Sequence, residues 1–281
     1  LFSAATMFII YMGVQNGIER VSTIMMPILI VLAVAIAVYA VTRPGALQGV
    51  SYFLVPNFRN FSWMTVVAAM GQMFYSLSIA MGILMTFGSY MKDDVSIEEA
   101  TRHVELFDTA IAILAGLMII PAVFAFSGGN PDVLKAGPSL MFITMPKIFA
   151  SMGFGQPAGI MFFLLVLFAA LTSAIALAES AVSTFEDELH WSRKRSSLVV
   201  FALMLVLGSL SALGYGPLAM VRIIGMQLLD FFDFLTNSVM MPSAAMTTCL
   251  LIVRVVGVNT VAAEVTKDGA PFKRRLIFNF M

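Results

Sequence analysis

Uncharged stretches of this 281-residue chain carry oxygen-bearing side chains where a membrane-crossing helix is normally most apolar. Ser76 and Ser78 lie in GQMFYSLSIAMG, residues 71–82, inside an uncharged run from Trp63 to Met91, and Gly71, Ala80 and Gly82 flank them. Asp108 falls in the run 106–126. FAALTSAIAL places Thr172 and Ser173 in the run 158–185, with Ala169 one turn earlier on the same helical face. Carboxylates, hydroxyls and freed backbone carbonyls are hard oxygen ligands, suited to an alkali cation and not to zinc or copper. A carboxylate within a span costs ~3 kcal/mol even on a lenient insertion scale, which makes Asp108 a functional candidate. A plainer use exists for the hydroxyls, which can bond back to the i−4 carbonyl or let helices approach closely. For Thr172 and Ser173 both readings stand. Around Ser76 and Ser78 the small residues favour a broken helix, which survives in lipid only where it lines a site.

Composition excludes most other chemistry. Sixty per cent of the residues are apolar and 11% charged, with a mean hydropathy of +0.95. This is the composition of an integral membrane protein. A net charge of zero gives no general attraction to nucleic acid. His103 and His190 stand in charged loops away from any metal-ligand pattern, and the single Cys249 excludes an intramolecular disulfide. No nucleophile is paired with a base and no phosphate-binding loop is present, so catalysis is not expected.

Six runs are long and uncharged enough to position these residues across a bilayer: about 21–41, 63–91, 106–126, 158–185, 196–214 and 228–256. Between 126 and 158 runs a long outer loop, 127–157, whose apolar PDVLKAGPSLMFITMPKIFASM predicts short helices and not a polar tether. Charge alternates between the connections. Arg20, Lys92, Arg102, Arg193, Lys194, Arg195, Arg254, Lys267, Lys273, Arg274 and Arg275 fall on one side. Arg43, Arg59, Lys135, Lys147 and Arg222 fall on the other. The positive-inside rule puts the larger set in the cytoplasm. Leu1–Met12 is apolar but shorter than the ~20 residues that a span needs, and KRRLIFNFM stops as an apolar segment begins. The expectation is a fragment of a longer membrane protein.

In this order and spacing the motifs resemble the neurotransmitter:sodium symporter family, in particular its bacterial amino-acid transporters. GIERVSTIMMP, residues 17–27, is similar to the family's fifth helix and GQMFYSLSIAMG to its sixth. DTAIAILAGLMIIP looks like the seventh, and FAALTSAIALAESAVSTFEDEL like the eighth. The resemblance implies an all-α integral membrane protein with the inverted-repeat sodium symporter fold and a discontinuous sixth helix. The chain would run from the end of helix 4 to the start of helix 11, with the second repeat complete and the first truncated.

The resemblance also implies roles. Ser76 and Asp108 match ligands of the sodium beside the substrate carboxylate. Ala169 (through its carbonyl), Thr172 and Ser173 match a second sodium site. Tyr75, Ser76, Ser78, Met81, Ser173 and Leu177 would bound the substrate pocket. Asp233 matches an outer-gate acid, and Gly17 with Pro27 would let the inner end of helix 5 unwind. Chloride-dependent members carry Asn at the position of Asp108 and Ser where this chain has Ala112, so chloride independence is expected. The implied function is sodium-coupled symport of a neutral, hydrophobic or aromatic amino acid across a bacterial inner membrane, and a homodimer is compatible with it. A proton-coupled transporter of related fold and a non-transporting receptor that kept the fold are the alternatives.

Overall fold

A computed structural model describes residues 1–130, 137–151, 153–267, 272 and 275. The parts of the predicted outer loop at 131–136, and of the apolar C-terminal segment at 276–281, lie outside the described residues. All regular structure described is helical, apart from one isolated bridge between Ile223 and Met226. The helices are α1 (Phe2–Tyr11), α2 (Arg20–Val41), α3 (Ala46–Leu54), α4 (Trp63–Ser76), α5 (Ile83–Ser89) and α6 (Ile97–Ser127). They continue with α7 (Met145–Ser151), α8 (Gly155–Leu189), α9 (Arg193–Leu213), α10 (Leu228–Asp233), α11 (Met241–Leu251) and α12 (Val258–Val265). Short π-helical turns join several of them, so that 14–41 and 228–256 are each continuous rods.

Five of these rods are long and apolar enough to cross a membrane: Val14–Val41, Ile97–Ser127, Gly155–Leu189, Arg193–Leu213 and Leu228–Val256. The predicted span 63–91 is absent from this set because it is divided into α4, with 14 residues, and α5, with 7. Four others are longer than predicted. Hydropathy ends at Leu106, but α6 begins at Ile97 with Glu98 and Glu99 in its first turn, where carboxylates complement the helix dipole. The outer loop is mostly helical where it is described, with a π-turn at Leu140–Thr144 running into α7.

The chain divides into two compact units. One comprises Leu1–Gly17, Val67–Glu105 and the described residues from Ala174 on; the other comprises Ile18–Val66 and Leu106–Ser173.

The core of the second unit is built from single faces of its helices. Leu29, Ala33, Ile36, Ala37 and Ala40 of α2 recur at i, i+4, i+7, i+8 and i+11, one stripe of an α-helix. They join Met118, Ala122 and Val123 of α6, Met145, Ile148 and Phe149 of α7, and Ala158, Phe162 and Leu165 of α8. The alanines matter because lipid is as apolar as leucine, so close approach of small residues holds such helices together. Tyr39 of α2 fixes the outer connection: its hydroxyl donates to the carbonyl of Gly153, and the Arg43 guanidinium stacks 4.4 Å above its ring.

In the first unit α1 packs along α9, and an ion-pair cluster joins them to α8. The Arg193 guanidinium reaches Glu179 with Nη2 to Oε2 at 2.7 Å and Nη1 to Oε1 at 3.1 Å. It also donates to the carbonyl of Ile10, near the end of α1, from Nε at 3.1 Å and Nη2 at 2.9 Å.

Candidate functional site

The break in 63–91 comes from local backbone chemistry. The α-helical ladder runs to Leu77, whose amide donates to Met73 at 3.0 Å. It then slips: Ser78 donates to Tyr75 and Ile79 to Phe74. Ser78 and Ala80 adopt φ of 55° and 62°, and Gly82 follows at 78°. Left-handed φ is costly for any residue but glycine, so Ser78 and Ala80 hold a strained conformation. The ladder resumes where Thr86 donates to the Gly82 carbonyl at 2.9 Å.

Only glycine fits at 82 on two counts. Besides its φ, a Cβ there would stand 2.6 Å from the Ser180 hydroxyl of α8. Ser180 in turn lies 3.4 Å from the Thr86 hydroxyl, so α8 braces the start of α5 with polar contacts.

Four of the six residues predicted to bind substrate lie along this break. Tyr75 and Ser76 end α4 and are exposed, Ser78 and Met81 are half-buried in the irregular stretch, and Leu177 is exposed on α8. All five belong to the first unit. In the second unit, one turn of α8 gathers Ala169, Thr172 and Ser173. The Thr172 hydroxyl donates to the carbonyls of Phe168 at 3.1 Å and Ala169 at 3.0 Å. That is the back-bonding anticipated for a serine or threonine in a membrane helix. It also holds two of the predicted sodium ligands side by side, with a hydroxyl proton that must turn away before a cation can sit between them. Asp108 is half-buried on α6, about three turns from the helix start at Ile97. The predicted sodium partners Ser76 and Asp108 are thus divided between the two units.

The predicted gating residues are placed as follows. The Asp233 carboxylate, at the end of α10, accepts from the Asn237 amide at 2.6 Å. Gly17 is buried inside the π-helical turn Val14–Glu19, and a Cβ there would collide with the carbonyl of Ile9. Pro27 is exposed within α2. The segment between them is fully wound.

The family model described as Sodium:neurotransmitter symporter family matches residues 1–280. The chain belongs to that family. It is 35% identical over 264 residues to the sodium-dependent transporter YhdH of Bacillus subtilis (strain 168), covering 94% of this chain and 58% of YhdH. It is 31% identical over 241 residues to a sodium-dependent transporter of Haemophilus influenzae, covering 85% of this chain and 52% of that protein. The chain therefore spans a little over half the length of these relatives. A crystal structure of MhsT in complex with L-phenylalanine superposes with a TM-score of 0.82 at 36% identity, covering 100% of this chain and 65% of MhsT. The sodium symporter fold and a multi-pass membrane location follow, and the bacterial relatives imply the inner membrane.

One constellation of this chain was not anticipated from the sequence. Glu179 is fully buried on α8, and besides Arg193 it accepts a 2.9 Å bond from the Tyr90 hydroxyl just beyond α5. Arg193 also reaches Glu186 at 3.2 Å. One buried carboxylate thereby ties the end of the broken helix to α8, α9 and α1. The available signal was a lone glutamate in ALAESA within an otherwise uncharged run, because an unpaired charge at that depth is too costly to persist.

Proposed function

We propose that this protein is a sodium-coupled symporter of a neutral amino acid with a hydrophobic or aromatic side chain, working by alternating access and without chloride. The observation that carries the reading is the break at 77–82, where a membrane helix gives up its hydrogen bonds beside Ser76 and Ser78. Backbone carbonyls released at such depth are stable only where they meet a substrate, an ion or water. The relatives named as sodium-dependent transporters support sodium as the co-substrate, and the donors present suit it. Ala169 and Thr172 offer adjacent oxygens, Ser173 a third, and Asp108 with Ser76 a carboxylate and a hydroxyl.

Asp108 is central to this scheme. A fixed carboxylate attracts a cation at 4 Å by about 4 kcal/mol at an effective dielectric of ~20. That attraction can do the work of a bound anion, which Ala112 has no hydroxyl to hold. Sodium then neutralises Asp108 and holds the broken helix in the shape that accepts substrate. Substrate favours closure on the outer side, near Tyr75 and Asp233. Unwinding between Gly17 and Pro27 opens the inner side. Each ligand shifts the equilibrium only by its differential affinity for the two states. Met81 beside the break supplies an adaptable apolar wall, and the L-phenylalanine bound to MhsT supports a large apolar substrate.

The test is equilibrium binding of a labelled amino-acid panel to the purified protein in sodium and in potassium buffer. Binding of phenylalanine- or leucine-like substrates only in sodium is expected. Equal binding in potassium would sink the sodium-coupled reading, and binding confined to glycine, alanine or charged amino acids would sink the hydrophobic one.

A further inference from the structure

A cavity of about 580 Å³ lies wholly within the first unit, well inside the ~300–1,000 Å³ range of small-ligand sites. Its walls are apolar, formed by Leu77, Ile79, Leu84, Phe87, Met91 and Val104. Leu77 and Ile79 belong to the helix break, so the cavity begins at the irregular stretch. It ends at charged residues: Lys92 and Asp93 on the α5–α6 connection, Glu105 within α6, and Glu264 and Lys267 at the end of α12. The distribution of Lys and Arg places this rim at the cytoplasmic face of the bilayer.

The rim carries both signs. Lys267 bridges Asp93 at 2.9 Å and Glu264 at 3.4 Å, which leaves that trio with a net negative charge. Lys92 forms no ion pair among the described residues and offers its ammonium to an incoming anion. A ligand fitting this cavity has an apolar chain, an anionic group for Lys92, and a cationic N–H donor for the carboxylates. A purely anionic headgroup would bring no cation to the net negative Asp93–Lys267–Glu264 trio. A quaternary ammonium would bring no N–H donor.

We propose that this cavity is a site for an inner-leaflet phospholipid with a primary-ammonium headgroup. The phosphate meets Lys92, the ammonium meets the Asp93–Glu264 carboxylates, and one acyl chain lies along Leu84 and Phe87 toward the break. An acyl chain in that position presses on Leu77 and Ile79, so membrane composition acts directly on the irregular segment.

The experiment places the purified chain in nanodiscs of mixed phosphatidylethanolamine, phosphatidylcholine and phosphatidylglycerol, and counts retained lipids by native mass spectrometry. Phosphatidylethanolamine should be retained over both competitors. Leu84→Trp, which fills the cavity, should abolish that preference, and Lys92→Gln should weaken retention by about fivefold, as for one basic residue at a charged surface. Circular dichroism establishes that each variant is folded. Lys92 is exposed, so its variant tests the idea even if Leu84→Trp fails to fold. Equal retention of the three lipids, or retention unchanged in the folded Lys92→Gln protein, overturns the proposal.

Discussion

Arg193 and Glu179 meet through two nearly parallel hydrogen bonds of 2.7 and 3.1 Å, with the carboxylate fully buried and the guanidinium largely so. A fork-to-fork pair of this kind is among the strongest side-chain contacts, yet its energy depends on both partners being present. Arg193→Ala leaves a buried carboxylate without its cation and should destabilise the protein by about 3–5 kcal/mol. Replacing both residues with leucine should recover much of that loss, because the uncompensated charge goes with the pair. Unfolding of the solubilised protein by heat or denaturant measures both. A wild-type melt for Arg193→Ala would show that the pair adds nothing to stability.

Gly82 and Ser180 offer a separable test of the break. Gly82→Ala forces an alanine to φ of 78° and drives its Cβ toward the Ser180 hydroxyl. The expected loss is about 2–3 kcal/mol, of which left-handed strain supplies ~1–2. Removing the hydroxyl by Ser180→Ala in the same protein should relieve the collision and leave the strain. The double variant should therefore melt between the wild type and Gly82→Ala, a non-additive result. Strict additivity would mean that the two residues do not touch.

Thr172 already uses its hydroxyl within its own helix, so loss of that group has two distinguishable consequences. Thr172→Val should cost less than ~1 kcal/mol of stability, since the Ala169 and Phe168 carbonyls remain in the helical ladder. If the hydroxyl is a sodium ligand, sodium affinity should fall by about tenfold or more. Sodium titration of amino-acid binding reads the second effect, and a melt reads the first. A stability loss with unchanged sodium dependence would assign Thr172 to packing alone.

Ser76→Ala should likewise weaken sodium affinity more than folding. The charge at Asp108 gives the companion expectation: uptake should be the same in chloride and in gluconate medium. Transport that fails in gluconate and recovers with chloride would show that Asp108 does not replace an anion.

Much of this fold was legible because lipid leaves few choices. Long apolar runs must close their backbone hydrogen bonds internally, so α2, α6, α8 and α9 follow from length and hydropathy alone. The break in GQMFYSLSIAMG was legible for the same reason, since flexible and polar residues at that depth are tolerated only for a purpose. Hydropathy was blind to the charged first turns of α6, because helix stability there depends on the dipole and on continuation from the span.

The sequence by itself determined that the chain crosses the membrane as helices, where one of them breaks, and which oxygens stand beside the break. These follow from residue type and spacing along one strand of covalent chain. Only the tertiary structure decided that Glu179 is the buried partner of Arg193, that Ser180 excludes a side chain at Gly82, and that Thr172 turns its hydroxyl onto Ala169. The first two join residues of different elements, and the third is one choice among several rotamers. Hydropathy and spacing carry no record of such contacts, because they are fixed by which helix faces meet.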